Sequence, residues 1–292
     1  MSLPRFEYLR PSTIKEACAL LSRHKGNVKM IAGGTDLLPK MKARVAAPQY
    51  VLGLKGIADL DYIKHDKAHG LRIGALATLK SVQASPRVRH RFSVLAQAID
   101  TMASPQVRSL GTVAGNLCNA SPSADTACPL IVMGARLRVV RPRGDRMVPV
   151  EEFFVGPEKT VLADGELLTE ICVPTPSARS AAVYLKHTVR RAMDLALVGV
   201  AAMVSLNAAG AVKDVRIALG AVAPTPLRAK KAEEVLKGQQ FSSDLVTRAA
   251  EAAVQEARPI SDVRSPADYR REIVRVLTQR AITEAWEKAK SL

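Results

Sequence analysis

The chain has 292 residues, 48% of them hydrophobic and 24% charged, which fits a folded protein of two or three subdomains and excludes a long disordered tract. Lys and Arg number 43 against 27 Asp and Glu, a net charge of +16, but the basic residues are dispersed in pairs such as Arg190-Arg191, Lys230-Lys231 and Arg270-Arg271. Aromatic residues make up only 4%, too few for the stacking platforms that bind single strands, so no nucleic acid is expected and the charge is assigned to an acidic partner or a solvated face.

The opening MSLPRFEYLRP lacks the apolar block of a signal peptide, and no later apolar run approaches the roughly 20 residues that span a bilayer. No membrane span and a cytoplasmic location are expected. Thr13 and Glu16 form a capping box for a helix with Ile14, Ala17, Cys18 and Leu21 on one face. VKMIAGGTDLLPKMK, from Val28 to Lys42, then reads as strand, tight turn and helix start. Gly33 and Gly34 lack Cβ atoms, so a ligand can approach the peptide N–H groups directly, and a side chain at Gly34 is expected to intrude there. Thr35 or Asp36 can cap the helix carrying Leu37, Leu38 and Met41, leaving first-turn N–H groups for an anion. Taken alone, the stretch is equally an ordinary glycine turn before a helix.

Tyr50 to Leu54 closes this first α/β unit. Asp61 to His65 and Gly70 to Leu76 predict a hairpin, Thr78 starts a short helix, and Phe92 to Ala103 forms another. A second small-residue loop follows, LGTVAGNLCNASPSADTACPL from Leu110 to Leu130. Its Gly111, Thr112, Gly115, Asn116, Asn119, Ser121, Ser123 and Asp125 favour hydrogen bonding over core packing. The two loops could close on a pyrophosphate from opposite sides. Neither fits GxxxxGK[ST] or GxGxxG, which disfavours a nucleoside triphosphatase or a Rossmann dinucleotide site.

Ala135 to Arg141 and Glu166 to Val173 read as strands joined by a loop containing Phe153, Phe154 and Gly156. Pro174-Thr175-Pro176-Ser177 is a linker. Beyond it, Tyr184 to Thr188, Leu197 to Leu206 and Val212 to Leu219 predict antiparallel strands with a turn at Asn207 to Gly210. Helices are expected over Ala229 to Leu236, Ser243 to Glu256 and Pro266 to Lys288.

Cys18, Cys118, Cys128 and Cys172 include no CxxC pair; Cys18 and Cys172 are read as core thiols, and no metal site is expected. The isolated His24, His65, His69, His90 and His187 are read as packing or surface residues. Ser121 and Ser123 lack the GxSxG elbow of a hydrolase. No spacing supports a nucleophile with its base, so a bound cofactor would have to carry any reaction.

The chain resembles the FAD-binding subunits of molybdenum hydroxylases, the family of xanthine dehydrogenase, aerobic carbon monoxide dehydrogenase and 4-hydroxybenzoyl-CoA reductase. The likeness covers nearly the whole chain and rests on FEYLRPST, AGGTDLLPKMK, PQVRSLGTVAGN with its SPSAD, and RRAMDLALVGVA. It implies an α+β architecture: two FAD-binding subdomains of the vanillyl-alcohol oxidase/PCMH type (1–55 and 56–176), then an antiparallel sheet with three helices (177–292).

The resemblance further implies that Met30, Ile31, Ala32, Gly33, Gly34, Thr35, Asp36 and Leu37 wrap the FAD pyrophosphate, with N–H donors at Gly33, Gly34 and Thr35. Thr112, Val113, Ala114, Gly115 and Asn116 form the opposing wall, Ala114 standing where the family often has glycine. Asp125 matches an aspartate bonded to ribityl or ribose hydroxyls. Met102 matches a position near the adenine or flavin edge, and Leu168 and Lys186 match positions beside the isoalloxazine. There Leu168 would pack and Lys186 would stabilise the reduced, anionic flavin. Read as residues alone, Leu168 is equally a core leucine and Lys186 a solvated strand lysine. Asp194 matches the family motif without an assigned role. The cysteine-rich insertion that holds an extra iron–sulfur cluster in the 4-hydroxybenzoyl-CoA reductases is missing between Gly115 and Pro129.

On this basis the expected function is electron transfer within a three-subunit oxidoreductase. A large subunit would hold molybdopterin and a small subunit two two-iron two-sulfur clusters, in a dimer of heterotrimers. FAD on this chain would pass electrons to NAD, a quinone or a ferredoxin. A self-contained flavin oxidase or reductase of the same fold, and a non-enzymatic nucleotide-binding module, are the alternatives.

Overall fold

The computed structural model describes residues 2–190 and 192–292, so Arg191 of the RRAMDLA motif lies outside it. The chain opens with β1 (Glu7–Leu9), α1 (Ile14–Arg23), β2 (Val28–Ile31), α2 (Leu37–Lys42) and β3 (Tyr50–Gly53). The strands form a parallel sheet in the order β1-β3-β2, so the chain crosses over through the helices. Thr13 caps α1 as expected, its Oγ1 accepting from Glu16 N at 3.1 Å. The Glu16 carboxylate, however, accepts from Ser12 N at 2.8 Å, so the reciprocal half of the box sits one residue upstream. Ala17, Cys18 and Leu21 make the buried face of the helix.

The second unit contains β4 (Ile63–Asp66), β5 (Gly70–Gly74), α3 (Leu79–Ala84), α4 (Pro86–Arg91), α5 (Ser93–Asp100), α6 (Pro105–Leu110), α7 (Val113–Cys118) and α8 (Ala127–Val132). It continues with β6 (Arg136–Arg141), β7 (Gly144–Pro149), β8 (Phe154–Gly156), β9 (Lys159–Thr160) and β10 (Leu167–Val173). Its main sheet has the order β4-β5-β10-β6-β7. The segment between β6 and β10 is more than the expected loop: it holds the edge strand β7 and the small β8-β9 pair. Charged residues such as Asp145 and Arg146 hide the alternation of β7, and the same charges protect an exposed edge from further pairing. Cys172 is only half-buried on β10, its thiol donating to Glu170 Oε1 at 3.2 Å, so it is not a core thiol.

Arg146 grips the buried Glu166 with two bonds, Nε to Oε1 at 2.9 Å and Nη2 to Oε2 at 2.7 Å. That guanidinium holds the Glu166 carboxyl below its ordinary value. A carboxyl lowered on folding stabilises the protein above its unfolded pKa, and the contribution fades as pH falls through the folded value. Glu166→Gln should therefore lower stability by ~1 kcal/mol near neutrality, part of the pair being screened by water, and flatten the acid limb of a Tm-against-pH curve. A variant that keeps the wild-type acid slope would remove Glu166 as its source.

The third unit runs β11 (Ser180–His187), β12 (Val198–Leu206), β13 (Val212–Gly220), β14 (Leu227–Arg228), α9 (Lys230–Leu236), α10 (Ser243–Glu256) and α11 (Ala267–Lys290). Its antiparallel sheet keeps that strand order. Every residue of β12 is buried, because the sheet is covered on both faces. Val200, Ala202, Val204 and Ile217 pack with Val274, Leu277, Ile282 and Trp286 of the helical layer. Tyr184, Ala201, Met203 and Ala218 instead join the core of the second unit. Small residues allow that approach: a Cβ on Gly220 would stand 2.9 Å from Cys128 Sγ of α8. The third unit is thereby seated on the end of the second glycine loop.

Candidate functional site

The first loop leaves β2 at Ile31 and turns through Gly34, whose φ of +73° is the left-handed conformation that glycine takes without strain. Gly33 makes the tighter approach. A Cβ there would lie 2.0 Å from the Leu110 carbonyl oxygen and 2.9 Å from Gly111 Cα. The first and second loops thus touch backbone to backbone. Among the described residues, the N–H groups of Gly33, Gly34, Thr35 and Asp36 donate to no protein acceptor. Consecutive free N–H groups around a left-handed residue form a concavity suited to an anion. Met30, Ile31, Ala32 and Leu37 are half-buried around them.

Neither Thr35 nor Asp36 caps α2 through its side chain, contrary to expectation: Asp36 is the N-cap residue but makes no capping bond. Its carboxylate instead accepts from Asn119 Nδ2 at 3.1 Å. Asn119 Oδ1 accepts from Lys40 Nζ at 2.9 Å, and Lys40 also bonds Glu158 at 2.8 Å. Burial pushes the Asp36 carboxyl up, and the Lys40 charge pulls the other way. This clamp ties the helices that follow the two loops. Asn119 stood among the polar loop residues in the sequence, but Lys40 and Glu158 gave no signal, because the partners lie 79 and 118 positions apart.

On the second loop Thr112 caps α7, its Oγ1 accepting from Gly115 N at 2.9 Å, and pairs with Thr78 in an isolated antiparallel bridge. A Cβ on Gly115 would stand 2.9 Å from that hydroxyl, so glycine keeps the cap close. Val113 and Ala114 are buried, and Asn116 Oδ1 accepts from Thr126 Oγ1 at 2.6 Å. Met102 is buried just beyond α5. Leu168 is buried on β10, next to a break in register and on a strand that packs against α7.

Asp125 ends the second loop and is 6% exposed. Lys186 Nζ donates to its Oδ2 at 2.9 Å and to the Thr101 carbonyl at 3.3 Å, beside Met102. Tyr184 OH donates to Asp125 Oδ1 at 2.6 Å. Lys186 is therefore no solvated strand lysine; its side chain is 5% exposed. Desolvation raises the Asp125 carboxyl, with Lys186 and Tyr184 pulling it down, and burial carries the Tyr184 phenol well above its usual value. Tyr184 was not among the expected site residues, although it and Lys186, two polar groups at i and i+2 within the run AAVYLK, share one face of a strand.

The remaining candidates fall into packing roles. His24 lies against Tyr50, His65 meets Phe92 edge-on, and His187 leans on Tyr269. Burial pushes the Cys118 thiol up to about 12. Among the described residues no three His, Cys, Asp or Glu side chains gather as a metal site, and no helix is long and apolar enough to cross a membrane. Asp194 gains a role: it accepts from Arg190 N at 2.9 Å and Leu195 N at 3.0 Å, tying the turn after β11.

Residues 4–176 match the family model of the FAD binding domain in molybdopterin dehydrogenase, and residues 183–285 that of the CO dehydrogenase flavoprotein C-terminal domain. Fold and site thus define an FAD-binding flavoprotein. The chain is 35% identical over 285 residues to the carbon monoxide dehydrogenase medium chain of Hydrogenophaga pseudoflava, covering 98% of each. It is 34% identical to the glyceraldehyde dehydrogenase medium chain of Sulfolobus acidocaldarius, covering 96% of this chain and 98% of that one. Among solved structures it superposes on a chain of carbon monoxide dehydrogenase from Hydrogenophaga pseudoflava with a TM-score of 0.95, at 36% identity and 99% coverage of both. The chain belongs to the FAD-binding medium subunits of the molybdenum hydroxylases, the family of carbon monoxide and xanthine dehydrogenases. It is an oxidoreductase flavoprotein and its cofactor is FAD.

Proposed function

We propose that this chain is the electron-transfer subunit of a heterotrimeric molybdenum hydroxylase. It would take electrons from two two-iron two-sulfur clusters of a small subunit and pass them to NAD, a quinone or a ferredoxin. A large subunit would hold molybdopterin, in a cytoplasmic dimer of heterotrimers. The carrying observation is the run of four unpartnered N–H groups from Gly33 to Asp36, set against the second glycine loop. These donors suit a pyrophosphate, whose charge needs no lysine when several oriented N–H dipoles converge.

FAD supplies the redox chemistry when bound; the side chains hold and tune it. Gly33, Gly34 and Thr35 would donate to one side of the pyrophosphate, with Met30, Ile31, Ala32, Asp36 and Leu37 shaping that wall. Thr112, Val113, Ala114, Gly115 and Asn116 would form the other. Asp125 keeps acceptor capacity beyond its two protein donors for sugar-chain hydroxyls. Met102, Leu168 and Lys186 would surround the ring system. The units 1–55, 56–176 and 177–292 would each contribute one wall. Among the described residues no nucleophile with its base accompanies this cradle, which supports a relay over a self-contained oxidase or reductase.

The test is to isolate the complex from its native host and assay it intact and after separation. Organic substrate should turn over only in the assembled complex. The separated chain should hold no stoichiometric iron or acid-labile sulfide. Substrate turnover by this polypeptide alone would overturn the relay and favour a self-contained flavoenzyme.

A further inference from the structure

Asp125 lies on the FAD-binding half, yet both donors that orient it come from the other half of the chain. Tyr184 takes one carboxylate oxygen at 2.6 Å and Lys186 the other at 2.9 Å. They sit two residues apart on one face of β11, opposite Ala201 and Gly199 of β12. Tyr184 is itself fixed. Its N–H donates to Gln97 Oε1 of α5 at 3.2 Å, and a Cβ on Gly199 would stand 2.8 Å from its hydroxyl. The phenol, at 3% exposed, has no room to swing aside.

We propose that Tyr184 is a positioning residue for FAD: its hydroxyl fixes the orientation of Asp125, and through it the C-terminal sheet completes the cofactor site. The inference rests on the reading of Asp125 as an FAD ligand. A carboxylate rotates about its last bond when only one oxygen is held, whereas two donors at fixed spacing lock its plane and leave its free lone pairs aimed in one direction. Binding at Asp125 and seating of the third unit then share a free energy, so each strengthens the other. Neither FAD-binding subdomain alone would hold the cofactor at full strength.

The experiment uses the assembled complex, stripped of FAD and titrated with it. Tyr184→Phe keeps the ring and its packing but deletes the hydroxyl. FAD should bind about tenfold more weakly, the loss of one hydrogen bond to a charged group. The rise in Tm on adding FAD should shrink, and the visible circular dichroism of the bound flavin should change. Gly199→Ala, which crowds the hydroxyl without removing it, should weaken FAD in the same direction and remains available if Tyr184→Phe fails to assemble. A purely structural tyrosine would lower Tm with and without FAD equally and leave affinity and dichroism unchanged, overturning the proposal. Asp125→Asn separates the two failures. If it weakens FAD while Tyr184→Phe and Gly199→Ala do not, the positioning role is wrong and the Asp125 reading stands. If it too binds FAD normally, the Asp125 reading falls and the proposal with it.

Discussion

Gly33→Ala should give a complex that assembles but carries almost no FAD. The added Cβ would lie 2.0 Å from the Leu110 carbonyl oxygen and 2.5 Å from its carbon, both main-chain atoms. No rotamer change relieves such a contact. The loops must separate by roughly an ångström or more, and misplacement on that scale breaks a converging set of donors. A loss of FAD affinity of ~100-fold is expected, about 2.7 kcal/mol. The contact joins two loop backbones at the rim of the core, where Leu110 is itself exposed, so secondary structure and partner assembly should persist. Gly34→Ala is the comparison. Its φ of +73° makes any side chain costly, but the new Cβ would meet only the flexible tips of Ile31 and Leu38, at 3.1 Å. It should lose about tenfold, the strain of one residue held left-handed. Flavin content per polypeptide, measured after purification, ranks the two. Equal and full occupancy in both variants would refute the loop placement.

Lys186→Met should be the most destabilising single change at the seat of the third unit. It leaves Asp125 at 6% exposure with Tyr184 as its only remaining donor among the described residues. Removing one partner of a buried pair costs about 3–5 kcal/mol, because the surviving charge stays desolvated. The pH dependence identifies the cause. Desolvation already raises the Asp125 carboxyl, and Lys186 is the first of the influences lowering it. A carboxyl raised on folding holds its proton more tightly in the native state, so stability declines as pH climbs from the unfolded pKa through the folded one. Without Lys186 the folded pKa moves higher, and that decline extends further toward neutrality. The Tm deficit of Lys186→Met should be small in acid, where Asp125 is neutral, and widen as pH rises. Asp125→Asn on the Lys186→Met background should recover most of it. A deficit independent of pH would mean that lost packing, not the unpaired carboxylate, is responsible.

Local patterns make most of the architecture legible in the sequence. Thr13 and Thr78 both accept the capping bonds that their positions invite, and the apolar runs of β11 to β13 fall within a few residues of the expected spans. β7 escaped because an edge strand has one covered face at most, and its charged residues break the alternation that marks a strand. The glycine loops were visible as loops, but what distinguishes Gly33 from Gly34 was not. Gly34 answers a local demand for positive φ, whereas Gly33 answers the approach of Leu110, a long-range contact with no local trace. The same limit concealed the Asp36-Asn119-Lys40-Glu158 clamp and made Lys186 look solvated. Its neutralising partner lies 61 residues upstream, and only the seating of β11 on the second loop brings the charges together.

The most direct test of the account is a crystal structure of the complex with FAD bound. The pyrophosphate oxygens should lie within hydrogen-bond reach of the N–H groups of Gly33, Gly34 and Thr35, with residues 112–116 on the opposite side and Asp125 at the sugar-chain hydroxyls. A pyrophosphate seated elsewhere, with the N–H groups from Gly33 to Asp36 facing only water, would contradict it.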